Sequence, residues 1–198
     1  MKKQNLLFLH VPKVAGSSMR HHPLIQQSQT IHPLGPEGAW AEIAEKGWAN
    51  FFKFSFVRNP WDRFVSLYFY FSNMTPDHFA YQYDEPTVKS MKPFKTFDEF
   101  CLNFSSLNDG KFHFRPQHLW THHKNKCFLD FLGKYENLEN DLVRLEKRLK
   151  FPHCALPHKN KSQHLPYVEY YSPKLIKVVE KIYAEDIELF NYSFNGKN

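Results

Sequence analysis

His10-Val11-Pro12-Lys13-Val14-Ala15-Gly16-Ser17-Ser18-Met19 follows directly on the apolar run Leu6-Leu7-Phe8-Leu9. A short continuous apolar run reads as a strand buried on both faces, which points to a parallel sheet. Ala15 and Gly16 are small enough for the backbone to approach a ligand closely. A helix opening after them would aim free amides, and the positive end of its dipole, at an anion. Ser17 and Ser18 add hydroxyl donors, and Lys13 adds a mobile positive charge. The stretch is therefore predicted to hold the phosphate end of a nucleotide-type ligand. The plainer reading is an ordinary strand-to-helix turn that happens to contain Lys and Ser. It is not a Walker A loop, which needs GxxxxGK[ST], because Lys13 precedes the glycine. No clear Walker B strand ending in Asp follows, so magnesium is not implied.

Outward from this stretch, strand and helix signals alternate. A polar segment from Arg20 to Gln29 is expected to be helical at first, and Thr30 to Gly38 reads as a loop. Ala39 to Ala49 is predicted helical, and Phe51 to Val57 is a second buried strand. Arg58-Asn59-Pro60 breaks it. Pro60 suits the first turn of a new helix with Asn59 as its cap, running from about Trp61 to Ser72. Met74 to Pro93 shows little periodicity and reads as a long excursion beside a substrate. Thr96 to Phe104 is a short helix with a capping box from Thr96 and Glu99. Phe128 to Tyr135 is a third strand, Glu136 to Lys150 an amphipathic helix, and Pro152 to Pro166 a polar loop. Ser172 caps a final helix with Pro173 at its first position, reaching about Phe190. This order predicts an α/β protein with a P-loop-like three-layer fold, its central parallel sheet flanked by helices. The 198 residues fit one domain, 1–198. Ligands of such sheets bind beyond the carboxyl ends of the strands.

Composition narrows the function classes. Hydrophobic residues at 42% and twenty Phe exclude a mainly disordered chain. A formal charge of +6 suits an anionic small ligand or a polyanionic acceptor such as a sulfated glycan. It lacks the Lys/Arg block of a nucleic-acid arm, so no nucleic-acid partner is expected. Cys101, Cys127 and Cys154 are odd in number and widely spaced, which argues against a disulfide scaffold or structural zinc and fits a reducing compartment. The pairs His21-His22 and His122-His123 lack the i,i+4 spacing of a helical metal site, so no metal is expected. Leu6–Leu9 is too short for a signal or anchor, and no apolar run reaches the roughly 18 residues of a membrane span. A cytoplasmic protein is expected, with a soluble fragment of a membrane-tethered luminal enzyme as the alternative. Oligomeric state is open.

A second motif changes the weight of the first. Phe54-Ser55-Phe56-Val57-Arg58-Asn59-Pro60-Trp61-Asp62-Arg63-Phe64-Val65-Ser66 sets Arg58 at a strand end and Ser66 about two helical turns on. Both could reach one phosphate. Alternatively, Arg58 and Arg63 pair with Asp62 or a helix end, and Ser66 lies on the surface. Taken together, the two segments resemble the sulfotransferases that use 3′-phosphoadenosine 5′-phosphosulfate (PAPS). Pro12-Lys13-Val14-Ala15-Gly16-Ser17-Ser18 is similar to their 5′-phosphosulfate loop, and Arg58 through Ser66 to their 3′-phosphate motif. Phe114-Arg115-Pro116-Gln117, Phe131-Leu132-Gly133-Lys134-Tyr135-Glu136-Asn137-Leu138, Leu156 through Ser162 and Tyr183 through Phe190 extend the likeness. The closer match is to the carbohydrate branch of chondroitin and heparan 2-O type, with bacterial relatives.

The resemblance implies sulfuryl transfer to an acceptor hydroxyl, with the sulfur donor as co-substrate, its product 3′-phosphoadenosine 5′-phosphate (PAP), and no metal. It implies that Lys13 contacts the sulfuryl-bearing end and is catalytic. Pro12, Ala15, Gly16, Ser17 and Ser18 would form the 5′-phosphate loop, and Arg58 and Ser66 the 3′-phosphate site. Lys159 and Ser162 resemble a late polar loop that closes over the nucleotide, with a solvated Lys-rich loop as the alternative. A histidine between the two motifs would be the base; His32 fits that place best, ahead of His21 and His22. Arg115 and Gln117 would read an acidic acceptor or clamp the donor, or else form a turn fixed by Pro116. Two other classes stay open: a nucleotide-dependent kinase, and a non-catalytic nucleotide-binding module.

Overall fold

The computed structural model describes residues 5–32, 38–107, 111–156 and 165–196. The chain begins with β1 (Leu6–Leu9), α1 (Gly16–Met19), α2 (Pro23–Gln26), β2 (Gln29–Ile31), α3 (Ala39–Glu45) and β3 (Phe52–Val57). It continues with α4 (Pro60–Ser72), α5 (Tyr81–Met91), α6 (Phe97–Leu102) and α7 (Phe104–Leu107). Then come β4 (His122–His123), β5 (Lys126–Cys127), β6 (Phe131–Lys134), α8 (Leu138–Leu149), α9 (Pro173–Ile182) and α10 (Ala184–Leu189). These residues group into two compact units: 1–58 with 116–161, and 59–115 with 162–198.

The first unit is the α/β part. Its sheet has the order β2-β1-β3-β6, and every neighbouring pair is parallel. The buried run Leu7 to Leu9 makes β1 an interior strand, and β3 is buried along its whole length. Helix α3 lays Ala39 and Ile43 on Leu7, Leu9 and Ile31. At the other edge Asp141 of α8 accepts the Lys134 amide at 2.8 Å and fixes the end of β6. Gly133 is required there by packing: a Cβ would come within 2.4 Å of the Phe56 ring.

Ring packing dominates the second unit. Asn59 accepts the Trp61 amide at 3.0 Å and Pro60 opens α4, so this helix starts where its sequence predicts. Phe64 stacks on Phe100 with centroids 4.7 Å apart and meets Phe104 edge-on at 4.9 Å. The capping box of Thr96 and Glu99 is formed in full at α6. Tyr183 is buried and donates to the Phe114 carbonyl at 2.8 Å. Burial pushes its phenol above the ordinary range, with Arg63 pulling the other way.

Four expectations are corrected. Thr30 and Ile31 belong to strand β2 rather than to a loop; only Ile31 of its three residues is buried, so this edge strand carries no apolar run to reveal it. The polar segment from Arg20 to Gln29 is helical only for the single turn α2, and Gln29 already belongs to β2. The excursion from Met74 contains α5, whose internal Pro86 and polar composition hide its period. The final helix is two, α9 and α10, meeting at Tyr183. No helix of the described residues is long and apolar enough to cross a membrane.

Candidate active site

The strand order places the site. The chain goes from β1 to β2 on one side and then crosses to β3 on the other. The topological switch point therefore lies at the carboxyl ends of β1 and β3, where open parallel sheets form their ligand crevice. The first motif leaves β1 there, and Arg58 ends β3 beside it.

The loop has the backbone of an anion cradle. Lys13 and Ala15 both take left-handed conformations, with φ of 67° and 51°. Alternation of this kind turns successive amides toward one concavity. Ala15 is the N-cap of α1 and has no side chain to cap it, so the Gly16 and Ser17 amides receive neither a capping nor an intrahelical acceptor. The amides of Ser18 and Met19 are committed to the Ala15 carbonyl at 2.9 Å. Helix α1 is a single turn, so the dipole expected to favour an anion is small. Lys13 and Ser17 are half-buried, and Arg20 Nη2 donates to Ser17 Oγ at 3.5 Å.

Arg58 joins the two motifs. Its Nη1 donates to the Lys13 carbonyl at 3.1 Å, and its guanidinium lies 4.2 Å from the centre of the Tyr135 ring. Gln117 holds it from behind. The Gln117 side chain accepts the Arg58 amide at 2.9 Å and donates to the Arg58 carbonyl at 2.8 Å, and it is fully buried. Both of these bonds are spent on the Arg58 backbone, so Gln117 fixes where β3 ends. Nothing in the local pattern around Pro116 announces this long-range bond.

The three candidate bases separate. His22 is fully buried; its Nδ1 accepts the Leu24 amide at 3.3 Å, so Nε2 carries the proton. That proton is shared between the Cys154 carbonyl at 2.9 Å and Glu146 at 3.1 Å. Buried Glu146 also accepts from the Cys154 amide and pairs with His153 at 2.8 Å. A histidine so committed is a structural bridge. His21 is exposed on the turn before it. His32 is exposed and follows β2, at the same sheet edge as the loop. His10, which the sequence did not single out as a candidate, lies beside it, with ring centroids 4.5 Å apart.

The remaining predicted residues fall elsewhere. Ser66 lies on α4 in the second unit and is 9% exposed, so it is not a surface residue. Arg63 is 1% exposed and donates to the carbonyls of His113 at 2.9 Å and Arg115 at 3.0 Å, a clamp on that turn. Arg115 is half-buried in the second unit. Lys159 and Ser162 lie outside the described residues.

A parallel sheet with a left-handed loop and an arginine at its switch point defines an α/β protein whose ligand crevice lies at the carboxyl ends of its strands. Residues 1–193 match the model of the sulfotransferase family, and the chain belongs to that family. It is thus a transferase of sulfuryl groups. It is also 28% identical over 110 residues to an uncharacterized protein of Archaeoglobus fulgidus, an alignment that covers 56% of this chain and 77% of the relative. No solved structure matches it.

Proposed function

We propose that this chain moves a sulfuryl group from PAPS to a hydroxyl of a carbohydrate, as in the 2-O type branch. The observation that carries the reading is the bond from Arg58 to the Lys13 carbonyl at the switch point, which joins both motifs in one cationic edge. The donor set fits the group: two amides at the start of α1, two hydroxyls, an ammonium and a guanidinium suit a ligand with two separate phosphates. When bound, PAPS supplies an activated sulfuryl group on its 5′-phosphate. Pro12 and Ala15 shape the loop, while Gly16, Ser17 and Ser18 hold that phosphate. Lys13 neutralises charge that develops on the leaving phosphate. Arg58, steadied by Gln117, holds the 3′-phosphate; a share for Ser66 rests on the sequence resemblance alone, as do roles for Lys159, Ser162 and an acceptor-reading Arg115. His32 takes the acceptor's proton as the acceptor oxygen bonds sulfur and the bond from sulfur to the 5′-phosphate oxygen breaks. The electron pair of that bond leaves with PAP.

Calorimetry with PAP, ATP and AMP tests the donor. Tight binding that needs the 3′-phosphate is expected; equal or stronger magnesium-dependent ATP binding would favour the kinase reading instead. Labelled PAPS offered with a panel of glycans and simple alcohols tests the acceptor. Binding of PAP without transfer to any member would leave a nucleotide-binding module.

A further inference from the structure

The base sits in an arrangement that no motif describes. His10 follows β1 and His32 follows the neighbouring β2, and the His10 amide donates to the Ile31 carbonyl at 3.1 Å. The two strand ends are thereby held in register. The rings meet edge to face, with an interplanar angle of 78°. The His10 ring also abuts Gly16: a Cβ there would lie 1.9 Å from His10 Nε2. One half-buried imidazole thus touches both the exposed His32 and the first residue of α1.

We propose that His10 is a positioning residue for sulfuryl transfer, a spacer that sets His32 against the donor loop. The inference rests on the reading of the loop as the donor site and of His32 as the base. Its physical content is geometric. Transfer requires the acceptor oxygen, sulfur and leaving oxygen in line and the base within hydrogen-bond reach of the acceptor's proton, and a misplacement of about 1 Å costs on the order of 10²-fold in rate. His32 follows an edge strand of three residues and is exposed. The His10 ring supplies a wall on one side of it. The same ring fills the space a side chain at position 16 would take, so any larger residue there must displace the imidazole.

The test uses the full chain and the variants His10→Ala, Gly16→Ala, His32→Ala, and the doubles His10→Ala/Gly16→Ala and His10→Ala/His32→Ala. Three quantities are read: PAP affinity by calorimetry, melting temperature, and kcat and KM with labelled PAPS. His10→Ala is expected to keep PAP affinity within about threefold and acceptor KM near wild type, while kcat falls about 10- to 100-fold. Gly16→Ala is expected to lose PAP affinity, and His10→Ala/Gly16→Ala to regain it without regaining kcat. His10→Ala/His32→Ala should be no slower than His32→Ala, since two residues acting through one step are not additive. A His10→Ala enzyme with wild-type kcat overturns the inference, as does a loss that simply multiplies with that of His32→Ala. A double variant that fails to regain PAP affinity overturns the spacer geometry. Wild-type protein that binds no PAP, or His32→Ala that transfers normally, overturns the donor or base reading itself and this inference with it; neither result resembles the failure of His10 alone.

Discussion

The sheet unit and the helical unit spend their side chains differently. In the first, the carboxyl ends of the four parallel strands carry His32, His10, Arg58 and Lys134-Tyr135 in sheet order, and apolar residues such as Leu7, Leu9 and Phe56 fill the strands behind them. In the second, Phe64, Phe100, Phe104, Phe114 and Tyr183 interlock, and polar groups serve chiefly to tie turns: Arg63 holds the 113–115 carbonyls, and Asp84 accepts from Tyr70 at 3.2 Å and pairs with His113 at 3.1 Å. The contrast teaches where each kind of damage should register. Changes at the strand ends should alter transfer with little effect on folding, and changes in the ring cluster should do the reverse.

Phe100→Ala gives the largest expected effect, because a ring lost from a filled core costs about 3–5 kcal/mol. Denaturant unfolding should show it, and a loss below 1 kcal/mol, on the order of a surface change, would break the contrast from the helical side. Lys13→Ala comes next: transfer should slow by about 10²–10³-fold, the usual cost of one lost charge-stabilising donor. Its unfolding midpoint should hardly move, and wild-type turnover would sink the role given to Lys13. His22→Ala sharpens the comparison, since a strand-side histidine should here behave structurally. Removing a bond to buried Glu146 should cost about 1.5–3 kcal/mol while the folded variant still transfers. A stable His22→Ala protein without activity would move the base to that residue.

Tyr183→Phe is the smallest change, about 1 kcal/mol for the lost bond to the Phe114 carbonyl. It also carries a pH signature. Burial raises the phenols of Tyr183 and Tyr171 above their ordinary value of 10.0. A phenol raised on folding contributes stability that is complete below about pH 10 and is lost as the unfolded chain ionises above it. Alkaline unfolding followed by circular dichroism should therefore steepen above pH 10.0, and less so in Tyr183→Phe. Equal slopes in both proteins would remove Tyr183 from that account.

Much of the frame was legible in the residues. The Leu6–Leu9 strand, the Asn59-Pro60 start of α4 and the capping box at Thr96 all follow from interactions between close neighbours in the chain. Edge strand β2 escaped because a strand exposed on most positions has no apolar pattern, and α5 because Pro86 interrupts its own. The burial of Gln117 against Arg58 was not legible, since 59 residues separate them. Nor was the clamp made by Arg63, whose neighbour Asp62 was the obvious partner on paper.

The phosphate loop shows the division most directly. Sequence alone determined its make-up: a strand, small residues, hydroxyls and a lysine are local features, and the family membership follows from the match over residues 1–193. Tertiary structure decided the rest. Strand order put the loop and Arg58 at one switch point, and the single turn of α1 leaves loop amides rather than a long helix dipole at that point. It also sorted the histidines, closing His22 into a buried bridge and setting His10 between Gly16 and His32. The physical reason is that an imidazole has no fixed role of its own. Which nitrogen carries the proton, and whether the ring supports or reacts, is set by neighbours that the chain brings from far away.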